Sequence, residues 1–195
     1  MSKVIHQIFL DIGLKPLSER HDYLRNIELL KVNNPDWCYL LWNEDELDEF
    51  VENEYPEYLD YWNSFPHKFY KIDYARYLLL KSYGGIYIDL DEENIKPLDV
   101  YILRATIISG VWYEKKNKCK THNHNNNILS INNTDIIDNL IEYCNTQIVE
   151  KQKTIPKSWK CRLFQHSVSQ RMFKRWSLKN KIQSDIDTQE YFRTT

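Results

Sequence analysis

Residues 83–93 read YGGIYIDLDEE. Ile86, Ile88 and Leu90 alternate as the buried face of a strand does, which leaves Asp89 and Asp91 on the other face, with Glu92 and Glu93 directly behind. A carboxylate withdrawn from water without a partner is costly, so something positive is expected beside this pair. The glycines that open the run close whatever precedes it. Phe69, Ile72, Leu79 and Leu80 recur as apolar positions of a helix, Pro66 suits its first turn, and Gly84 suits its left-handed cap. A helix that turns at once into a strand is half of an alternating α/β pattern.

The same alternation extends outward. KVIHQIFL (3–10) is β-branched and apolar enough for a first, central strand, and DIGLKPL supplies Gly and Pro for a loop. From Ser18, the positions Tyr23, Ile27 and Leu30 predict a helix over 18–32 that ends before NNP. DWCYLLW (36–42) reads as a second buried strand, and Asn43 with Glu46 has the pairing of a capping box that opens an acidic helix to about Glu54. After the acidic strand, 105–114 is a further strand and Thr134–Lys151 a helix with Ile136, Ile137, Leu140, Ile141, Cys144 and Ile148 inward. KKNKCKTHNHNNN (115–127) has no periodicity and reads as an exposed loop, with His122 and His124 solvated rather than zinc-bound. HSVSQRMFKRW (166–176) reads as a basic helix with a solvated charged face. The fold class is therefore α/β, a mainly parallel central sheet flanked by helices, with ligands at the carboxyl ends of its strands.

Composition narrows the function classes. The chain has 195 residues, 42% hydrophobic, enough for one domain over 1–195 with little room for a second. A formal net charge of -2 with both signs scattered gives no field directed at nucleic acid or an acidic membrane. Cys38, Cys119, Cys144 and Cys161 have no paired spacing, so reduced thiols are expected. The apolar run at the N-terminus is too short for a signal peptide and no stretch reaches membrane-spanning length, so a soluble, cytoplasmic protein is expected.

Side chains two apart on a strand point the same way, ~7 Å apart, so Asp89 and Asp91 can converge on one ligand. Hard cations such as Mn²⁺ or Mg²⁺ take one or two protein carboxylates and fill their remaining positions with substrate phosphates and water, so a metal–diphosphate complex is the natural guest. A three-residue D-x-D pattern also arises by chance, and DID at 185–187 lacks the preceding glycines and strand. On the helix before the motif, Asp73 and Arg76 are three apart and share a face. They are either a surface ion pair or part of the same crevice.

Three blocks in order, VIHQIFL, NNPDWCYLLWNEDEL and KIDYARYLLLKSYGGIYIDLDEENIKPL, resemble the DXD-containing glycosyltransferases of family 32. That group holds the yeast initiating mannosyltransferases and relatives of the clostridial glucosylating toxins. The resemblance covers about the first half of the chain and implies a GT-A fold. The implied activity is retaining transfer of a sugar from a nucleotide-diphosphate donor, a UDP- or GDP-sugar, to a glycan, lipid or protein hydroxyl, usually with Mn²⁺. It places donor binding in about 1–100 and the acceptor and closing part in about 101–195. Residue by residue, it makes Asp91 the direct metal ligand, and Asp89 a contact to the donor ribose or sugar that also reaches the metal. Asp73 and Arg76 would hold sugar hydroxyls, with Arg76 near the diphosphate, and Ile8 and Phe9 would line the nucleobase pocket. Tyr87 and Asp45 fall on the ribose side. Phe9 stands where the family usually has tryptophan, and the C-terminal H-H-x-x-x-S-W type segment is missing. The third metal ligand stays open, with His166 one candidate, while Asn126 and Asn127 are candidates for the acceptor side. Two rivals remain: a haloacid-dehalogenase-like phosphatase using the first Asp of the motif as nucleophile, and a nucleotide-sugar-binding domain without turnover.

Overall fold

A computed structural model describes residues 2–13, 15–65, 67–98, 107–113, 121–131, 133–152, 175–176, 179–181 and 192–194. The chain opens with β1 (Val4–Ile8), and a 3-10 turn at Leu17–Glu19 leads into α1 (His21–Asn33). Next come β2 (Cys38–Trp42), α2 (Glu44–Glu54), a 3-10 turn at Pro56–Tyr58 and the short α3 (Leu59–Ser64). The long α4 (Lys68–Tyr83) runs directly into β3 (Ile86–Ile88) and β4 (Glu92–Asn94). β5 (Ile107–Tyr113), β6 (Thr121–Ile131), α5 (Thr134–Gln152) and β7 (Phe192–Thr194) complete the described chain. The main sheet has the order β2-β1-β3-β6-β5, in which β2, β1 and β3 are parallel and β6 and β5 join antiparallel. β4 and β7 form a separate antiparallel pair.

The strand register sorts the core. Ile5 pairs with Ile86 and His6 with Tyr87, and paired residues share a face. On one face Ile5, Ile86 and Ile88 pack with Leu30 of α1, Leu98 and Phe192 of β7. On the other, Ile8 and Tyr87 pack with Leu47 and Val51 of α2, Leu78 and Leu79 of α4, and Leu140 of α5. Burial on both faces explains why β1 reads as an unbroken apolar run apart from His6 and Gln7. α4 is buried at every position from Asp73 to Leu80, as a helix sandwiched between sheet and neighbouring helices must be. The α2 capping box forms as expected: Asn43 Oδ1 accepts from the Glu46 amide at 3.0 Å, and Glu46 Oε2 accepts from the Asn43 amide at 2.8 Å.

β2, expected to be buried, is an edge strand that is exposed at Cys38 and half-buried from Tyr39 to Trp42, and three further details differ from the sequence reading. The stretch 121–127, expected as loop, belongs to β6 and pairs with β5 from Gly110↔His124 to Tyr113↔Thr121. Its order comes from the backbone ladder, which a pattern of side-chain hydrophobicity does not register. β3 ends at Ile88, so Asp89 and Asp91 stand on the turn into β4, where the Glu92 amide donates to the Asp89 carbonyl at 3.2 Å. The last element of the first helix begins at His21 rather than Ser18, after the 3-10 turn. Pro66, and most of the 166–176 segment, lie outside the described residues. Cys38 is exposed and Cys144 buried, both as free thiols, while Cys119 and Cys161 lie outside the described residues. Among the described residues, no helix is long and apolar enough to cross a membrane.

Two constraints hold the α4–β3 junction. Gly84 and Gly85 have φ of 65° and 85°, a region that side chains disfavour. At Gly85 an added Cβ would stand 2.2 Å from the Val4 carbonyl oxygen, so only glycine lets the chain enter the sheet this close to β1. His6 fastens the same corner. Its Nε2–H donates to the Gly84 carbonyl at 3.0 Å while its Nδ1 accepts from Trp42 Nε1–H at 3.2 Å, which fixes the neutral tautomer. Burial pushes the His6 pKa down to about 4, the Gly84 bond opposing only in part.

Gly85→Ala is expected to destabilise the fold by at least ~2 kcal/mol in urea unfolding, from the positive φ and the clash with Val4 together; a neutral result would remove the close-approach argument. Between pH 6.5 and 4 the unfolded chain takes up a proton at His6 that the folded chain refuses, so stability falls as pH falls through that window, by about 3 kcal/mol at most. Urea midpoints across pH 4–7 should show this slope in the wild type and lose that share of it in His6→Gln; equal slopes in the two would contradict it.

Candidate active site

α4 and β3 run antiparallel with almost no connection, and simple rise arithmetic predicts what they bring together. From Gly84 back to Arg76 the helix climbs about 12 Å at its usual rise, and from Gly85 forward to Asp89 the extended chain climbs about 13 Å. Arg76 and Asp89 should therefore stand level. The Arg76 guanidinium lies 3.9 Å from Asp89 Oδ1 and 2.7 Å from Asp73 Oδ1. It also stacks over the Tyr87 ring at 4.4 Å, and the Tyr87 hydroxyl donates to Asp89 Oδ1 at 2.5 Å. The Asp73–Arg76 pair is thus no surface pair, since both side chains are under a tenth exposed.

These groups floor a cavity of about 340 Å3 at the carboxyl ends of β1 and β3. The chain leaves β1 for β2 on one side and returns to β3 on the other, so the cavity sits at the switch point where open α/β sheets place ligands. Ile8, Phe9, Leu10 and Ile12 form its wall at the end of β1; Phe69, Ile72, Asp73 and Arg76 come from α4, and Tyr23 from α1. Tyr87, Asp89, Leu90 and Asp91 complete it. Of the candidates read from sequence, Ile8, Phe9, Asp73, Arg76, Tyr87, Asp89 and Asp91 all line this one cavity. Asp45 does not; it is exposed in the first turn of α2. His166 and the side chains of Asn126 and Asn127 lie outside the described residues. The backbone of Asn126 and Asn127 continues β6 just beyond Ile128, the partner of Ile88.

Tyr23, Leu10, Ile12, Phe69, Ile72 and Leu90 were not read as site residues. Tyr23, Phe69 and Ile72 carry an inward helical pattern, and such a pattern looks the same whether the face meets a core or a cavity. Tyr23 is further marked by Arg20, whose guanidinium stacks 3.6 Å from its ring centre and pairs with Asp22 at 2.8 Å.

The electrostatics are unbalanced. Three carboxylates, Asp73, Asp89 and Asp91, line the cavity against one guanidinium. Asp73 takes the close contact to Arg76, leaving Asp89 farther off. Burial, reinforced by Asp91, pushes the Asp89 pKa up to about 7, although Arg76 opposes it; the quarter of its side chain that is exposed faces the cavity. Burial and the Asp89 charge push the Tyr87 phenol well above its ordinary value, which keeps it a hydrogen-bond donor. Burial works against the Arg76 charge, but Tyr87, Asp73 and Asp89 outweigh it and hold the guanidinium protonated. Among the described residues no group of three His, Cys, Asp or Glu side chains forms a cage for a metal by itself. Two carboxylates, Asp89 and Asp91, opening on a cavity do suit a hard divalent ion that takes its other ligands from substrate and water.

Comparison with known proteins bears out the resemblance. Residues 20–108 match the family described as "Glycosyltransferase sugar-binding region containing DXD motif". The chain is 32% identical over 109 residues to inositol phosphoceramide mannosyltransferase 1 of Schizosaccharomyces pombe, covering 54% of this chain and 33% of that protein. It is 29% identical over 110 residues to the initiation-specific alpha-1,6-mannosyltransferase of Candida albicans, covering 55% and 28%. The matched region therefore spans a third or less of these relatives. Among solved structures, the PaToxG glycosyltransferase aligns with a TM-score of 0.52 at 18% identity, covering 92% of this chain and 69% of that one, which supports the α/β glycosyltransferase fold.

Replacing Arg76 by Met would leave Asp73 and Asp89 without their shared counter-charge, and the expected loss is ~3–5 kcal/mol. Arg76→Met combined with Asp73→Leu should recover part of it, because the buried carboxylate goes with its partner. Chemical denaturation of the three proteins measures both effects; a single variant as stable as wild type would show that the guanidinium does not hold the site together.

Proposed function

We propose that this protein is a glycosyltransferase that moves a sugar, a hexose, from a nucleotide-diphosphate donor to an acceptor hydroxyl with a divalent cation, Mn²⁺ or Mg²⁺, and with retention of configuration. The observation that carries the reading is the convergence of Asp73, Arg76, Asp89 and Asp91 on one switch-point cavity within the matched DXD region. Since both relatives named above are mannosyltransferases, mannose is the first donor sugar to try.

In this reading Asp89 and Asp91 hold the ion, and the ion supplies Lewis-acid stabilisation of the departing diphosphate. Arg76 adds a permanent positive charge beside the same leaving group, where low water content makes it effective. Asp73 fixes the guanidinium from behind and lines the cavity where sugar hydroxyls would meet it. Tyr87 holds Asp89 in one rotamer through its hydroxyl. Ile8 and Phe9 give the apolar wall against which a nucleobase can stack. With Asp89 and Asp91 assigned to the ion and Asp73 to Arg76, no carboxylate is assigned as nucleophile, and the acceptor hydroxyl attacks on the face the leaving group departs from, its proton passing to a phosphate oxygen. Residues 1–195 act as one transferase domain in this scheme, with the acceptor met by the second half.

The expected outcome is that UDP or GDP raises the melting temperature in the presence of Mn²⁺ and that EDTA abolishes the shift. Asp91→Asn is expected to remove the Mn²⁺-dependent shift and to lower transfer or donor hydrolysis at least 100-fold. Nucleotide binding indifferent to EDTA would sink the metal reading. Ion-dependent binding with no transfer or hydrolysis across UDP- and GDP-sugars would leave a binding protein instead.

A further inference from the structure

The two aspartates sit on a turn rather than in a ladder, so something other than strand pairing has to fix their backbone. Two consecutive carbonyls of that turn, those of Asp89 and Leu90, receive hydrogen bonds from side chains elsewhere in the fold. Gln7 Nε2 of β1 donates to the Asp89 carbonyl at 3.3 Å, and Asn26 Nδ2 of α1 donates to the Leu90 carbonyl at 3.0 Å. Both amides are essentially fully buried, and Gln7 is oriented by Tyr39, whose hydroxyl donates to Gln7 Oε1 at 2.7 Å. The Asp89 carbonyl also accepts the Glu92 amide that closes the turn.

A buried amide is costly unless its hydrogen bonds are made, and an apolar residue would fill the same space on either element. Gln7, next to His6, interrupts the apolar run of β1, and Asn26 the inward face of a helix, at the two points that meet the acidic turn. Neither lines the cavity. From this geometry we propose that Gln7, aided by Tyr39, and Asn26 are positioning residues: they clamp successive carbonyls so that Asp89 and Asp91 are held at the spacing a divalent cation needs. This rests on the cation-binding reading above. Two carboxylates that must close on an ion from a loose turn lose affinity to the ordering they then require, and a turn already clamped avoids that loss.

The test uses the full chain and its Gln7→Met, Asn26→Leu and Tyr39→Phe variants, with Leu47→Ala on α2 as a core substitution outside the turn and the cavity lining. Two quantities are read: exchange of the Glu92 amide relative to the β1 amides in metal-free protein, and the affinity for Mn²⁺ alone, from the free-ion EPR signal. In Gln7→Met and Asn26→Leu the relative exchange should rise at least tenfold and Mn²⁺ affinity should fall at least fivefold; Tyr39→Phe should show about a twofold change in both. Leu47→Ala should lower the melting temperature and move neither. If the first two variants do not fold, Tyr39→Phe decides, since it keeps the ring and the buried amide. Unchanged Mn²⁺ affinity in folded variants overturns the proposal, whether or not exchange rises, as does an equal loss in Leu47→Ala. Wild type that takes up no Mn²⁺ while relative exchange still rises overturns the ion-binding reading and leaves only the clamp on the turn.

Discussion

The close approach of Gly85 to the Val4 carbonyl sets the geometry from which the site follows. Because Gly85 lacks the Cβ that would fall 2.2 Å from that oxygen, the chain can pass from α4 into the sheet with no intervening loop. Helix and strand then rise from one corner at calculable rates, and Arg76 comes level with Asp89. His6 secures the corner from β1, bridging the Gly84 carbonyl and the Trp42 indole. A longer connection would let the two elements slide, and a displacement of one residue along β3 would turn its side chains to the opposite face.

What this corner produces is a cluster of carboxylates gathered round one guanidinium at the cavity wall. Arg76 is shared by Asp73, Asp89 and the face of Tyr87, while Asp91 adds a third carboxylate to the cavity wall. The upward displacement of the Asp89 pKa comes first from burial, with Asp91 adding to it and Arg76 opposing. Arrangements of this kind contribute little to stability, because desolvation offsets most of the attraction. Their occurrence in a cleft at the strand ends is better explained by a ligand than by the fold.

Polar groups buried away from the cavity serve its backbone. Gln7 and Asn26 reach the carbonyls of the acidic turn, and a set of asparagines continues behind them. Asn33 and Asn34 donate to Asn94, and Asn34 Oδ1 accepts from the Leu98 amide at 2.6 Å. The end of α1, the turn and β4 are thereby joined through amide side chains. On the outer side Glu93 accepts from Arg193 at 2.9 Å, so β7 braces the same segment. Non-helical, non-strand backbone next to a cavity needs such partners, since it has no ladder to satisfy it.

Most of the α/β order was legible in the sequence, because apolar spacing, the Asn43–Glu46 box and the paired glycines each have one local structural meaning. The sequence placed Asp73 and Arg76 on one helix face beside the acidic strand without separating a surface ion pair from a shared crevice; the rises of helix and strand from the paired glycines bring Arg76 level with Asp89. Three things were decided only by tertiary structure. The 121–127 segment becomes strand through backbone pairing that its polar side chains do not encode. Tyr23, Phe69 and Ile72 look inward in the sequence, and only the missing neighbour makes that interior a cavity. Gln7 and Asn26 are single amides in apolar runs, whose purpose depends on carbonyls 82 and 64 residues away. Local pattern reports how a residue sits on its own element; what that element faces is set by long-range packing, which no short stretch contains.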